Sequence, residues 1–205
     1  MNKKERARQI IVYAIYIISV CCLQVSFSGN FRLLGRSCDL MLVFVALAGY
    51  LFGTRDGLVV GAIVGLLRDY FSGTVVPGVN LEPIVLFGVG MLAFFYIGLF
   101  ASVLFRKRFR RKYMLGILQV ALISILYYSL CHVISFVCLS VSGNLNTYHS
   151  FRYIVFSSVC PQVMINVIGS IPMLFLLRFV GPYRKGVRSS LIDGYSVEDR
   201  KWQSV

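Results

Sequence analysis

The chain has 205 residues, of which 58% are hydrophobic and 14% are charged, and its net charge is +13. Several apolar runs exceed the roughly 18 residues that separate a membrane span from a core helix, which predicts an all-α fold, a polytopic integral membrane helical bundle. Little sequence remains outside these runs, which excludes a separate soluble domain of the usual ~100 residues. The basic residues cluster beside apolar runs, as membrane topology requires, so we expect anionic lipids as partners and no nucleic acid.

Six transmembrane helices are predicted in a single membrane domain, residues 1–188, followed by a flexible cytoplasmic tail, residues 189–205. The first span follows a basic N-terminus. Its apolar run is longer than that of a usual secretory signal, which favours an uncleaved span. The predicted spans are 9–28, 40–54, 57–71, 81–105, 114–141 and 155–180.

The second and third spans form a hairpin with two short arms. Each arm has about 15 residues, roughly 22 Å as a helix, against a hydrocarbon core of ~30 Å. The arms therefore either cross as thin, tilted spans or dip into the bilayer and return. Both alternatives leave the chain on the side from which it entered, whereas one long span over residues 40–71 would reverse everything downstream.

Glycine recurs every fourth residue through this hairpin, which is the spacing of one helix face. Such a face lets two helix backbones approach closely inside a membrane. It serves either internal packing of the bundle, which we favour, or docking of another membrane protein. The glycines are Gly49, Gly53, Gly57, Gly61 and Gly65.

Charged residues bracket the hairpin and its exit, namely Asp39, Arg68, Asp69 and Glu82. The topology places all of them near the outer membrane surface. An acidic cluster there would suit a cation or a substrate amine, but capping of helix starts and pairing with Arg36 or Arg68 are favoured. Asp39 is expected to cap the second span, and Glu82 to lie in the first turn of the fourth span, where the helix dipole favours a carboxylate.

A basic run directly after the fourth span is the strongest topological signal of the chain. Such runs belong in the cytoplasm, so the hairpin must preserve sidedness and both termini are expected in the cytoplasm. The charge exceeds what orientation needs, which is compatible with a second role as a patch for anionic lipid or an acidic partner. The run consists of Arg106, Lys107, Arg108, Arg110, Arg111 and Lys112.

The last span carries a polar stripe with a period of four residues. In hydrocarbon such a stripe turns inward, where it can bond to a neighbouring helix. Pro161 and Pro172 interrupt the same span. The stripe consists of Ser158, Gln162, Asn166 and Ser170.

Sequence motifs for catalysis, cofactors or metals are missing. The chain has no G-x-S-x-G, no H-E-x-x-H and no glycine loop with lysine for phosphate. Its six cysteines lie in or beside apolar runs without C-x-x-C spacing, and packing explains Cys131, His132 and Cys138 better than a metal does. We therefore expect no enzymatic activity, no cofactor and no metal site.

The hairpin resembles the MreD family, the bacterial rod shape-determining membrane proteins. The likeness is densest over about 45 residues, and it departs at Cys38, where the family usually has proline. The residues that carry it are Asp39-Leu40-Met41-Leu42, Gly57, Gly61-x-x-x-Gly65-Leu66-Leu67-x-Asp69, Ser72-Gly73 and Gly78-x-Asn80.

This resemblance implies a non-enzymatic scaffold of the cell-elongation machinery in the bacterial cytoplasmic membrane. The expected partner is an MreC-like bitopic membrane protein, with indirect links to RodA, to a penicillin-binding transpeptidase and to the MreB filament. The family's fold is similar to the substrate-binding S component of energy-coupling-factor vitamin transporters. The alternative function is therefore vitamin binding from the outer side, through loops 29–37 and 72–80.

Overall fold

The computed structural model describes residues 3–30, 36–71, 75–77, 83–85, 88–104, 113–141 and 155–182. Within these ranges it contains six α-helices and one two-stranded ribbon. The elements in chain order are α1 (Lys3–Asn30), α2 (Leu40–Phe52), α3 (Thr54–Phe71), β1 (Val75–Pro77), β2 (Pro83–Val85), α4 (Val89–Val103), α5 (Tyr113–Val141) and α6 (Cys160–Phe179), with a π-helical segment (Val155–Val159) leading into α6.

Three helical stretches in the described ranges are long and apolar enough to cross a membrane, namely Arg6–Ser26, Tyr113–Ile134 and Val155–Phe179. Two shorter apolar helices, Leu40–Phe52 and Gly90–Val103, accompany them. At most 33% of each long stretch is buried inside the protein, so its apolar surface needs lipid around it. By the length and composition of these helices, the chain is a multi-pass helical membrane protein.

Helix α2 is the centre of the bundle. Every residue from Met41 to Phe52 is buried, and the helix contacts α1, α3, α4, α5 and α6. A helix that is apolar on all sides is stable when other helices or lipid enclose it, and here other helices do. The first arm of the predicted hairpin, α2, therefore forms the core of the described bundle.

The hairpin reverses direction at a single residue, Gly53. Its φ of +97° is a conformation that glycine adopts without steric cost. The N–H of Gly53 donates to the Gly49 carbonyl at 3.1 Å and closes α2, while the N–H of Gly57 donates to the Gly53 carbonyl at 2.9 Å. One residue therefore separates the two helices, whereas the predicted spans 40–54 and 57–71 leave two residues between them.

The predicted start of the fourth span, at residue 81, is wrong. Residues Pro83–Val85 form β2, which pairs with β1 in an antiparallel register of Val75↔Val85, Val76↔Ile84 and Pro77↔Pro83. Gly88 then takes a φ of +91°, and α4 begins only at Val89. Glu82 therefore precedes α4 instead of lying in its first turn, and its side chain is outside the described residues.

The last span accommodates both of its prolines. Pro161 lies in the first turn of α6, directly after the π-helical segment. Pro172 lies inside the helix, which continues to Phe179. The hydroxyl of Tyr16 on α1 lies 3.3 and 3.0 Å from the carbonyl oxygens of Leu176 and Val180 and, as a shared donor, links the end of α6 to α1.

Candidate functional site

An ion pair between the half-buried Arg68 and the buried Asp39 joins the end of α3 to the start of α2. Arg68 Nη1 donates to Asp39 Oδ2 at 2.6 Å, and the hydroxyl of Tyr128 on α5 donates to the same oxygen at 3.0 Å. Asp39 Oδ1 accepts from the backbone N–H of Leu42 at 3.1 Å and caps α2. The cap and the pairing with Arg68 are the two roles that the sequence favours for Asp39. Only 4% of Asp39 is exposed, so its carboxylate is enclosed by the helices of the bundle.

Aromatic rings enclose the Arg68 guanidinium. Its central carbon lies 5.0 Å from the ring centroid of Phe94 on α4 and 5.4 Å from that of Tyr127 on α5. The two rings pack edge to face, with centroids 5.7 Å apart. Cation–π attraction stabilises a guanidinium that has lost part of its hydration. The pair of Asp39 and Arg68 therefore ties α2, α3, α4 and α5 together at one end of the bundle.

The polar stripe of α6 faces this ion pair. Asn166, which is fully buried, accepts from the backbone N–H of Asp39 at 2.9 Å and donates to the hydroxyl of Ser124 at 3.1 Å. Gln162 donates to the carbonyl of Ser37 at 2.7 Å. These bonds satisfy amide groups that would be costly to leave unpaired in an apolar interior. We call Asp39, Arg68, Tyr128, Gln162 and Asn166 the Asp39 hub.

The first and last residues of the stripe, Ser158 and Ser170, lie in different surroundings from the two residues between them. Ser158 is half-buried at the rim of the bundle, where its hydroxyl accepts from Arg36 Nη2 at 3.1 Å and lies 3.2 Å from His132 Nε2. Ser170 is fully buried, and its hydroxyl donates to the Val167 carbonyl of its own helix at 2.7 Å. The stripe thus joins a partly exposed rim to the core.

Asp69, which follows Arg68 directly in the chain, caps α4. Its Oδ2 accepts from the backbone N–H groups of Gly88 at 2.9 Å and Met91 at 3.0 Å. A carboxylate at this position also interacts favourably with the dipole of α4. Asp69 is 4% exposed, and a side chain at Gly90 would collide with its carboxylate. Asp69 is therefore also buried, and it fixes where α4 begins.

Four of the five hairpin glycines lie against α4. A Cβ atom added at Gly49 or Gly57 would come within 2.7 or 2.6 Å of the Gly98 carbonyl oxygen, and one at Gly65 within 2.7 Å of the Met91 Cα. Gly61 faces the Phe94 carbonyl oxygen even more closely. Backbone contact of this kind is possible only without side chains. We call Gly49, Gly57, Gly61, Gly65 and Gly98 the glycine seam.

The sequence left two uses open for these glycines, internal packing of the bundle and docking of another membrane protein. The contacts of the seam distinguish between them. Its surface is covered by α4, so it packs the bundle and is closed to a second protein. Gly53 does not belong to it, because nothing lies within 4 Å of a Cβ added there. Its role is the turn between the two helices. The spacing of four residues placed Gly53 in the stripe, but the change of helix at that residue breaks the periodicity.

A second polar cluster lies at the opposite end of the bundle. Asp56, in the first turn of α3, accepts from the Tyr13 hydroxyl at 2.7 Å and from Gln9 Nε2 at 3.3 Å, and it is 8% exposed. These bonds connect α3 to α1. The sequence signal for this cluster is Asp56 itself, an acidic residue between two apolar runs.

Helix α5 supplies partners that the sequence reading missed. Tyr128 belongs to the Asp39 hub, and Ser124 and Tyr127 contact it. Gln119 is also buried, and it donates to the Ala101 carbonyl. Polar side chains within a span usually face the interior of a bundle. Polar side chains within the apolar run from residue 113 to 141 therefore predict an inward-facing side of this helix.

Cys38 stands at the point where the chain departs from the MreD pattern. Burial, together with the neighbouring Asp39 carboxylate, raises the pKa of the Cys38 thiol from its ordinary 9.0 to about 12. Its sulfur occupies the space that a side chain at Gly169 of α6 would need. The thiol is therefore protonated at neutral pH and fills a gap between α2 and α6.

Other predicted residues fall outside the described ranges. These are Glu82 and the basic run of Arg106, Lys107, Arg108, Arg110, Arg111 and Lys112. Within the described ranges, no group of three or more His, Cys, Asp or Glu residues is arranged to hold a metal ion.

Comparison with known proteins adds no assignment to this geometry. No family model, no curated protein and no solved structure matches the chain. The function must therefore be argued from the residues themselves.

Proposed function

We propose that this chain is a non-enzymatic membrane scaffold of the bacterial cell-elongation machinery, of the MreD kind. In this role it binds an MreC-like bitopic protein in the cytoplasmic membrane. Through that protein it is coupled to RodA, to a penicillin-binding transpeptidase and to the MreB filament, and so it helps to maintain cell shape.

One observation carries this proposal. Several described residues that give the hairpin its likeness to MreD also assemble the bundle: Asp39 caps α2 and pairs with Arg68, Asp69 caps α4, and Gly57, Gly61 and Gly65 receive α4. A structural use for these residues suits a protein whose task is to present a fixed surface. Chemistry would instead require polar groups directed toward a substrate.

The scaffold needs an apolar face for the partner, and the outer helices offer several. Large apolar side chains are exposed along α5 and α6, among them Leu126 (52%), Ile168 (56%) and Phe175 (47%). The basic run from Arg106 to Lys112 supplies a cytoplasmic patch for anionic lipid or for an acidic partner segment. Sequence alone supports this second contact.

Affinity purification tests the proposal. The tagged full-length chain is extracted from its own bacterium in mild detergent, and its partners are identified by mass spectrometry. We expect a bitopic protein with a coiled-coil segment, together with a transpeptidase. Recovery of cytoplasmic ATPase subunits in their place would contradict the scaffold and favour the vitamin-transporter S component.

A further inference from the structure

A groove between α1 and the first half of α3 has no role in the proposed scaffold. Its volume is about 600 Å³, within the range of ligand-binding pockets. Most of its wall is aliphatic, with Ile10, Ala14 and Ile18 on α1 and Val59 and Ile63 on α3. The groove is therefore largely apolar and lies on the outside of the helical bundle.

One end of the groove is cationic. Arg6 and Arg55 line it where α1 and α3 begin, and both residues are exposed. Among the described residues neither arginine makes an ion pair or a hydrogen bond. Asp56 also lines this end, but its carboxylate is buried and accepts hydrogen bonds from Tyr13 and Gln9. The start of α3 adds the positive end of a helix dipole.

This combination matches an anionic phospholipid. Guanidinium groups bind phosphate oxygens through paired hydrogen bonds, and basic pockets between membrane helices bind lipid headgroups. The aliphatic length beyond the arginines suits an acyl chain. A single-span partner fits less well, because its own basic residues at the cytoplasmic end would meet Arg6 and Arg55.

We propose that the groove binds one anionic phospholipid, with its phosphate at Arg6 and Arg55 and an acyl chain between Ile10, Ile18 and Ile63. The site depends on the membrane character of the chain and is independent of the scaffold function. Since only 22% of the α1 span is buried, the lipid would also fill the space beside a helix that packs loosely on the rest.

Native mass spectrometry of the purified full chain tests this site. The protein is mixed with phosphatidylglycerol or phosphatidylcholine in detergent, and the retained lipid is counted for each. We expect selective retention of one phosphatidylglycerol. The double variant Arg6→Gln/Arg55→Gln should weaken it by about 25-fold, since each basic residue near the membrane surface contributes roughly fivefold.

Matched variants separate the site from general effects. Arg8→Gln removes one positive charge from α1 outside the groove and should retain the lipid, whereas Arg6→Gln removes one from the same helix inside the groove and should weaken retention about fivefold. Ala14→Trp fills the groove and should expel the lipid, whereas Ala7→Trp, exposed on α1 outside the groove, should not. Circular dichroism and gel filtration establish that each variant is folded before it is compared.

Three results would overturn the proposal. Equal retention of both lipids would remove the headgroup specificity. Equal loss in Arg8→Gln and in Arg6→Gln would mean nonspecific charge attraction. Retention of phosphatidylglycerol by Ala14→Trp, with loss of a copurified single-span protein, would assign the groove to a protein partner.

Discussion

Asp39 combines a helix cap, an ion pair and a tyrosine hydrogen bond in one buried side chain. Burying charge is costly, and an ion pair in a protein interior is favourable only when its remaining groups are also bonded. Here Tyr128 and the backbone N–H of Leu42 donate further hydrogen bonds to the carboxylate, while Phe94 and Tyr127 lie against the guanidinium. Substitutions of Asp39 and Arg68 should therefore have strongly coupled effects on the free energy of unfolding.

Substitution of Arg68 by methionine should destabilise the protein by ~3–5 kcal/mol, because it leaves the Asp39 charge buried without its counter-ion. The double variant Asp39→Asn/Arg68→Met should cost clearly less than the sum of the two single variants, since asparagine still caps a helix. The free energy of unfolding in mixed micelles measures both effects.

Arg36→Met is the matched control for this pair. Arg36 is exposed at the rim and bonds Ser158, so its loss should change the free energy of unfolding by no more than about 0.5 kcal/mol. Additive effects of Asp39→Asn and Arg68→Met would show that the two charges act independently.

At the scale of helices, α3 and α4 make the closest contact of the bundle, through the glycine seam. Membrane helices gain little from hydrophobic association with one another, so close packing supplies much of their attraction. Asp69 adds a directional bond at one end of this contact by capping α4.

Gly61→Ala should lower the free energy of unfolding by roughly 1–3 kcal/mol, because its methyl group must displace the backbone at Phe94. The neighbouring Ala62→Leu adds more volume on the same helix at a half-exposed position outside the seam, and it should cost less. Urea- or SDS-induced unfolding of both variants makes the comparison. An equal or smaller loss in Gly61→Ala would contradict the seam.

The hairpin was predictable because its signals are local. An aspartate before an apolar run and glycines at helical spacing each act within a few residues, although this spacing also included Gly53, which forms the turn. The start of α4 was not, since distant Asp69 caps it and the strand β2 before it pairs with β1. The partners of Asp39 on α5 and α6 likewise lie 89 and 127 residues away, beyond the reach of any local pattern.

At the scale of the molecule, α2 is enclosed by the other five helices of the described ranges, and its two ends carry different chemistry. The Asp39 hub lies at one end, and the Asp56 cluster with the arginines of the groove lies at the other. We propose six spans with both termini in the cytoplasm, so that the hub faces the outer side.

Reporter fusions test this orientation. A reporter joined after Ala7 and another after Ser196 should both be active only in the cytoplasm, because basic clusters flank both positions. An external result at Ser196 would contradict an even number of crossings. A fusion at Arg108, within the basic run, provides an internal reference that should also report the cytoplasm.

Depletion of the protein in its own bacterium tests the scaffold function most directly, with cell width and the site of new peptidoglycan followed by microscopy. The proposal predicts that rods widen and become round as incorporation along the lateral wall falls, and that the wild-type chain restores both. Unchanged shape, together with a growth defect that added vitamins correct, would contradict it.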